Sequence, residues 1–275
     1  MMLFFLAFNI SAQTEKELVT SADAKMDSKD YNGAITDYTA AIGVNPNSSY
    51  AYNGRAISYY YLGKYDDAIK DFTKVIEIQP DFASAYFARG NSLRMIKNYE
   101  DAVKDYDQAI TLKPEYSDAY GNKGLSLYFL KNYEDALIAF NKAIELNTEN
   151  YRIFWYRGKT HSRLKDLNKA IEDFTSSLKI HPNNPDCYYD RAISYSSLSD
   201  YKSALEDLNK AIELVPDDGE FYFDRGVVNI ELGNYDAALT DYTKALELKP
   251  ALKNDLEPRI EKVKAAIEEK KNNDT

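Results

Sequence analysis

The stretch SYAYNGRAISYYYLGKYDDAIKDFTKVIEIQP, Ser49 to Pro80, decides the fold. Its second half places Ala68, Ile69, Phe72, Val75 and Ile76 at helical spacing, so one side of that segment is apolar and calls for burial. Gly63-Lys64 interrupts the pattern ahead of it. The spacing predicts two helices, Ser49 to Leu62 (helix A) and Tyr65 to Ile78 (helix B), joined by a tight turn. Pro80 then stops the second helix: it offers no N–H, and it pushes the residue before it out of the helical region.

The same unit recurs in both directions. Prolines stand at 46, 80, 114, 182, 216 and 250, at intervals of 34, 34, 68, 34 and 34, with Thr148 where the absent proline would fall. An aromatic column keeps the register at Tyr52, Tyr86, Tyr120, Phe154, Tyr188 and Tyr222. A small-residue column runs through Ala56, Gly90, Gly124, Gly158, Ala192 and Gly226. Tyr31, Tyr65, Tyr99, Tyr133, Leu167, Tyr201 and Tyr235 form a third, each followed three residues later by an alanine. No single unit can bury its apolar stripe alone, so neighbours must stack. A repeat of 34 residues with these columns resembles the tetratricopeptide family over about residues 15 to 250. The expected fold is all-α: a tetratricopeptide-type superhelical solenoid of antiparallel helix pairs, with seven units over 13–250. Leu18 and Ala22 mark a degenerate first unit. Residues 251–275 read as a capping helix and tail, the helix running from about Leu256 to Lys270 with Pro258 near its first turn. Ile260, Val263, Ala266 and Ile267 form its apolar side.

Composition narrows the function. There are 34 basic and 44 acidic residues, a net charge of −10, which argues against nucleic acid as a partner. One cysteine, Cys187, rules out an intramolecular disulfide and any cysteine-based zinc site. The apolar run Met1 to Phe8, followed by Asn9-Ile10-Ser11-Ala12, reads as a secretory signal peptide over 1–12. Ala12 precedes the cut, and the basic start is missing from the sequence as it stands. Export to a bacterial envelope or periplasm follows; a cytoplasmic chain with an apolar arm packed on the first repeat is the alternative. The run is shorter than the roughly 20 residues of a membrane span, so no transmembrane segment is expected.

No catalytic constellation emerges. His161 shares a column with Tyr59, Leu93 and Tyr195, which points to a half-buried packing role, and His181 precedes Pro182 at a helix end. Gly158-Lys159-Thr160 lacks the upstream glycine and strand of a phosphate loop. No metal, cofactor or nucleophile can be nominated, and the chain reads as a non-enzyme. A charged ladder, Arg55, Arg89, Lys123, Arg157, Arg191 and Arg225, faces Asp37, Asp71, Asp105, Asp173, Asp207 and Asp241, with Ala139 as the exception. Ion pairs that fix helix register explain it better than a binding stripe.

What the family resemblance implies is a concave groove lined by helix A, with a protein or peptide lying in it. Carried onto this sequence, the candidate contacts are Tyr60, Phe87, Asn91, Arg94, Asn122, Tyr128, Arg152, Trp155, Lys159, Arg163, Tyr189 and Phe223. Aromatic residues offer large contact area at low entropic cost. Trp155, the only tryptophan, has Arg152, Lys159 and Arg163 around it, which suggests an acidic segment or a C-terminal carboxylate as ligand. Asn91, Asn122 and Arg152 match three members of the five-residue clamp with which one subfamily grips chaperone tails. Phe87 and Tyr156 stand where that clamp needs cations, which argues against a chaperone tail.

Overall fold

The computed structural model describes residues 2–147 and 149–273. Thr148 and Met1 lie outside the described residues. The described chain consists of fifteen α-helices and one 3₁₀ turn, without a strand, in two compact units, Met1–Leu146 and Asn147–Thr275. The first unit holds α1 (Met2–Asp27), α2 (Tyr31–Val44), α3 (Ser49–Tyr61), α4 (Tyr65–Ile78), α5 (Ala83–Met95), α6 (Tyr99–Leu112), α7 (Ser117–Phe129) and α8 (Tyr133–Leu146). The second holds α9 (Tyr151–Arg163), α10 (Leu167–Ile180), α11 (Pro185–Ser197), α12 (Tyr201–Leu214), α13 (Gly219–Glu231), α14 (Tyr235–Leu248) and α15 (Lys253–Asn273). Odd-numbered helices up to α13 are the A helices of the hairpins and even-numbered ones the B helices.

Each hairpin closes in the same way. The second residue after the A helix takes a left-handed conformation: Lys29, Gly63, Lys97, Lys131, Lys165, Ser199 and Gly233 all have φ between 61° and 75°. Two reverse bonds then cap the helix, as where Gly63 N–H donates to Tyr60 and Lys64 N–H donates to Tyr59, at 3.0 and 2.9 Å. At the other end of the repeat, the residue before the proline leaves the helical region (φ −132°, ψ 81° at Gln79), and its N–H still reaches the last turn of the B helix (Gln79 to Val75, 2.8 Å). Side chains such as Ser48, Asn150, Asn184 and Asp218 cap the next A helix.

Packing within a hairpin rests on the small column. Each of its residues lies against a large one sixteen places later on the B helix: Gly90 against Tyr106, Gly124 against Phe140, Gly158 against Phe174, Gly226 against Tyr242. A methyl at Gly124 would stand 2.6 Å from the Phe140 ring, so the close approach depends on its absence. These rings, with the alanines Ala68, Ala102, Ala136, Ala170, Ala204 and Ala238 of the B helices, are fully buried. The ladder sits beside them. Arg55, Arg89, Arg157, Arg191 and Arg225 each grip the aspartate sixteen residues on in their own hairpin, through two nitrogens at 2.6–3.1 Å. A third nitrogen reaches back to Thr39, Thr73, Thr175 or Asn209 on the preceding B helix in four of them. The pairs thus join neighbouring hairpins as well as the helices within one.

One sequence expectation needs correction here. The last helix starts at Lys253, directly after the turn Pro250–Leu252, and Pro258 stands inside it rather than near its first turn. Leu256 is fully buried against α14 and docks the opening turn in place. At the other end, α1 is one helix from Met2, so the backbone around Ala12 is helical and continuous with the first hairpin. Among the described residues no helix is long and apolar enough to cross a membrane.

Candidate functional site

Successive A helices touch one another directly (α1 with α3, α3 with α5, α5 with α7, α9 with α11), while among the described residues no two successive B helices come as close. The A helices therefore line the tighter, inner side of each unit. Side chains on this side form the candidate site, and each unit presents its own set.

In the first unit, Tyr60 meets Tyr61 and Tyr65 edge-on, at 6.1 and 5.4 Å. Tyr128 packs with Phe129 and Tyr133 and is largely buried. Phe87 lies against Tyr116 at 4.7 Å and Tyr106 at 6.0 Å. Below them runs a polar chain that links three helices. Tyr106 O–H donates to Asn91 Oδ1 at 2.9 Å, and Asn122 Nδ2 donates to the same oxygen at 2.7 Å. Arg94 is half-buried on α5, and its Nε is buried without a hydrogen-bond partner. Its charge bears on the phenols of Tyr60 and Tyr106, opposing the upward push that burial gives both hydroxyls.

The second unit is arranged differently from the basic cluster expected around Trp155. Trp155 Nε1–H donates to Asp190 at 2.7 Å, and Lys159 Nζ stands 3.2 Å from the same carboxylate and 5.2 Å from the Trp155 ring centre. Lys159 is thus committed within the chain. One repeat further, Tyr189 O–H donates to Asp224 at 2.6 Å. Burial raises the carboxyls of both Asp190 and Asp224, with Lys159 and the indole N–H pulling Asp190 back and the Tyr189 hydroxyl doing so for Asp224. Phe223 carries the guanidinium of Arg259, from α15, at 5.4 Å. Arg152 and Arg163 are exposed on α9.

Sequence reasoning missed Asp190, Asp224, Tyr106 and Arg259 as members of this side. The signal was present. Asp190 and Asp224 lie 34 apart and each 35 after an aromatic donor, while Arg259 falls 34 after Arg225 and continues the ladder onto α15.

The remaining reactive groups have packing roles. Cys187 is fully buried, and burial pushes its thiol up to about 12. His161 is half-buried between Asp166 and Asp173, each at 4.0 Å, and His181 is exposed and stacks on Tyr151. Among the described residues no group of acidic, histidine or cysteine side chains could hold a metal ion.

Stacked helical hairpins with an aromatic and polar inner side define a repeat scaffold. The chain is a tetratricopeptide repeat protein: the profiles described as tetratricopeptide repeat match residues 49–82 and 83–116, and 189–252. A third profile, anaphase-promoting complex, cyclosome, subunit 3, matches residues 129–211. Similar solved structures include the C-terminal part of a repeat protein from Cytophaga hutchinsonii (24% identity, 83% of this chain and 94% of that one, TM-score 0.69). One from Parabacteroides merdae shares 21% identity over 89% of this chain and 98% of its own, with TM-score 0.65. YrrB, a TPR protein with an unusual peptide-binding site, shares 24% identity over 65% of this chain and 92% of its own, with TM-score 0.57. No curated protein matches the chain.

Proposed function

We propose that this chain is a non-enzymatic scaffold that holds a protein or peptide along the A helices of its units, and that the bound segment is acidic or ends in a free carboxylate. The observation that carries the reading is the inner side itself. It pairs broad aromatic surface at Phe87, Trp155, Tyr189 and Phe223 with cations at Arg94, Arg152, Arg163 and Arg259. Aromatic anchors with polar handles suit an extended segment of a partner protein. A solved neighbour whose peptide-binding site is noted supports the same use of this fold. None of the matching families is a catalytic one. Export, read from the apolar run ahead of Ala12, places such a partner in the cell envelope.

The test compares capture from an envelope fraction by the wild-type chain and by an Arg152→Glu, Trp155→Ala, Arg163→Glu triple variant. A protein retained by the wild type and lost by the folded variant supports the reading. Identical captures would move the contact to the ends or the outer helices and favour an assembly module. N-terminal sequencing of the chain recovered from cells checks the export step: a start at Gln13 is expected, and an intact Met1 in the mature protein refutes it.

A further inference from the structure

We propose that the flank of α15 facing α13 is a docking groove for a short acidic segment of a partner protein, which lays an apolar side chain on the groove floor and a carboxylate at Lys262. The proposal rests on the reading of the chain as a scaffold for acidic segments and adds a site at its last helix.

Three observations carry it. The first is a seam that the A helices close within each unit and that α15 leaves open. Ser58, Ser92, Ser126, Ser194 and Val228 share one column and are almost wholly buried, as are Ala51, Ala85, Ala119, Cys187 and Phe221 in the column seven residues earlier. Such residues pack on the hairpin before them: Ser58 meets Met26 of α1, and Phe221 and Val228 pack on α11 and α12. One repeat after Phe221 and Val228 stand Asp255 and Lys262, both exposed. A charged side chain cannot be buried in that seam without a partner. α15 therefore docks through Leu256 and Val263, and its α13 flank stays open.

The second is the groove that this leaves. It measures about 590 Å³, a size common for ligand sites, and Ile230, Tyr235, Val263 and Ala266 give it an apolar floor. Its α15 wall runs from Asn254 to Ala266, about 18 Å, the reach of roughly five extended residues. That shape suits a stretch of polypeptide better than a compact small molecule. Pro258, on the same wall, supplies no N–H to the Asn254 carbonyl one turn back, which leaves an acceptor for a ligand's backbone.

The third is charge. Elsewhere on α15 the lysines pair along the helix, Lys253 with Glu257 at 3.6 Å and Lys264 with Glu261 at 2.8 Å. Among the described residues no carboxylate lies within ion-pair distance of Lys262 or Arg259, the two cations of the groove. Arg259 lies over the Phe223 ring at 5.4 Å and its charge bears on Asp224, so Lys262 is the cation left to a ligand. Asp255, about two turns earlier, repels a carboxylate and confines the ligand's acid to the Lys262 end. An apolar floor with one cation at its end selects a segment that combines an aromatic or aliphatic residue with an acid.

The experiment uses the full chain and an array of random twelve-residue peptides in two matched forms, with Asp and Glu or with Asn and Gln in their place. Ala266→Trp fills the groove and should abolish binding of a subset of peptides. The wild type should hold the acidic forms of that subset about tenfold more tightly than the amide forms, the scale of one charge-assisted contact. Lys262→Gln should remove this preference and leave the amide forms unchanged, while the Arg152→Glu, Trp155→Ala, Arg163→Glu variant should keep it. Lys262→Gln changes an exposed side chain, so it carries the test if the melting curve of Ala266→Trp shows that the tryptophan has released α15. Acidic and amide forms that bind alike, or a preference that survives Lys262→Gln, overturn the proposal. A preference lost in the triple variant but kept in both α15 variants also overturns it and leaves the scaffold reading intact, whereas no binding of any form counts against both.

Discussion

The charged ladder shows how a single exception is accommodated. In the fourth hairpin the aspartate of the B helix is replaced by Ala139, and the cation on the A helix is Lys123 rather than arginine. Lys123 turns the other way and pairs with Asp107 of the preceding B helix, at 2.6 Å, in the place where other repeats offer threonine or asparagine. The ion pair has moved from within a hairpin to between hairpins. Ala139→Asp alone should therefore destabilise the chain by about 1–3 kcal/mol, because it buries a carboxylate whose cation is engaged elsewhere. Adding Lys123→Arg should recover about 1 kcal/mol or more of that, because the fork then reaches both sides as in the other repeats. A double-mutant cycle by urea denaturation checks this, and additive effects would refute it. His161 makes a second residue-level case. Burial is the main cause that lowers its pKa, with Arg157 and Lys169 adding to it, while Asp173 and Asp166 work against it. The folded chain thus disfavours the imidazolium, and this contribution to stability is complete above the unfolded value near 6.5. It is lost as pH falls through the lower folded value. His161→Leu, which puts the residue of Leu93's column in its place, should shrink the drop in urea midpoint between pH 7.5 and 5.5.

Among the elements, the A–B turns carry the clearest strain. Five of the seven left-handed positions hold a residue with a side chain, and four of those are lysines. A left-handed conformation costs an ordinary residue roughly 1 kcal/mol, partly offset in any glycine replacement by the freer unfolded chain. Gly63 and Gly233 show that the same turn accepts glycine. Lys97→Gly should accordingly raise stability by a few tenths to about 1 kcal/mol, seen as a higher melting temperature. A lower one would mean that the lysine stems, rather than the backbone, hold these turns. The turns also show what a sequence makes visible. Gly63-Lys64 announces its turn through glycine, whereas Met95-Ile96-Lys97 carries no such mark and is recognised only because the 34-residue register repeats. Helix limits were legible for the same reason: α4 runs Tyr65–Ile78, as the proline and the apolar stripe require. The start of α15 was not, because a proline inside a helix reads as an early boundary until Leu256 is seen to be buried.

At the scale of the whole chain, periodic columns fixed the architecture because packing repeats every 34 residues, whereas most inner-side positions change from repeat to repeat and only a few, such as Asp190 and Asp224, keep the register. The column of Trp155 and Tyr189 was legible as aromatic, but the acids that receive their hydrogen bonds come from the next hairpin, which only folding brings alongside. The far end of the second unit follows repeat logic again. α15 begins 34 residues after α13 and sits where the A helix of a further hairpin would, with Leu256 and Val263 buried among Tyr242, Tyr222 and Ile230. Its other side carries exposed Glu257, Glu261, Lys262, Lys264 and Glu268, so it closes the apolar stack with a charged face. In a linear array, stability is transmitted only between neighbours. Leu256→Ala should therefore cost about 2–4 kcal/mol, the price of a buried leucine, but that loss should be felt mainly in α13, α14 and α15. Hydrogen exchange is the measurement that resolves it: protection should fall in those three helices and stay near wild type in α3 to α6. A uniform loss across the chain would show that the two units unfold as one cooperative body, and would remove the argument that the cap acts locally.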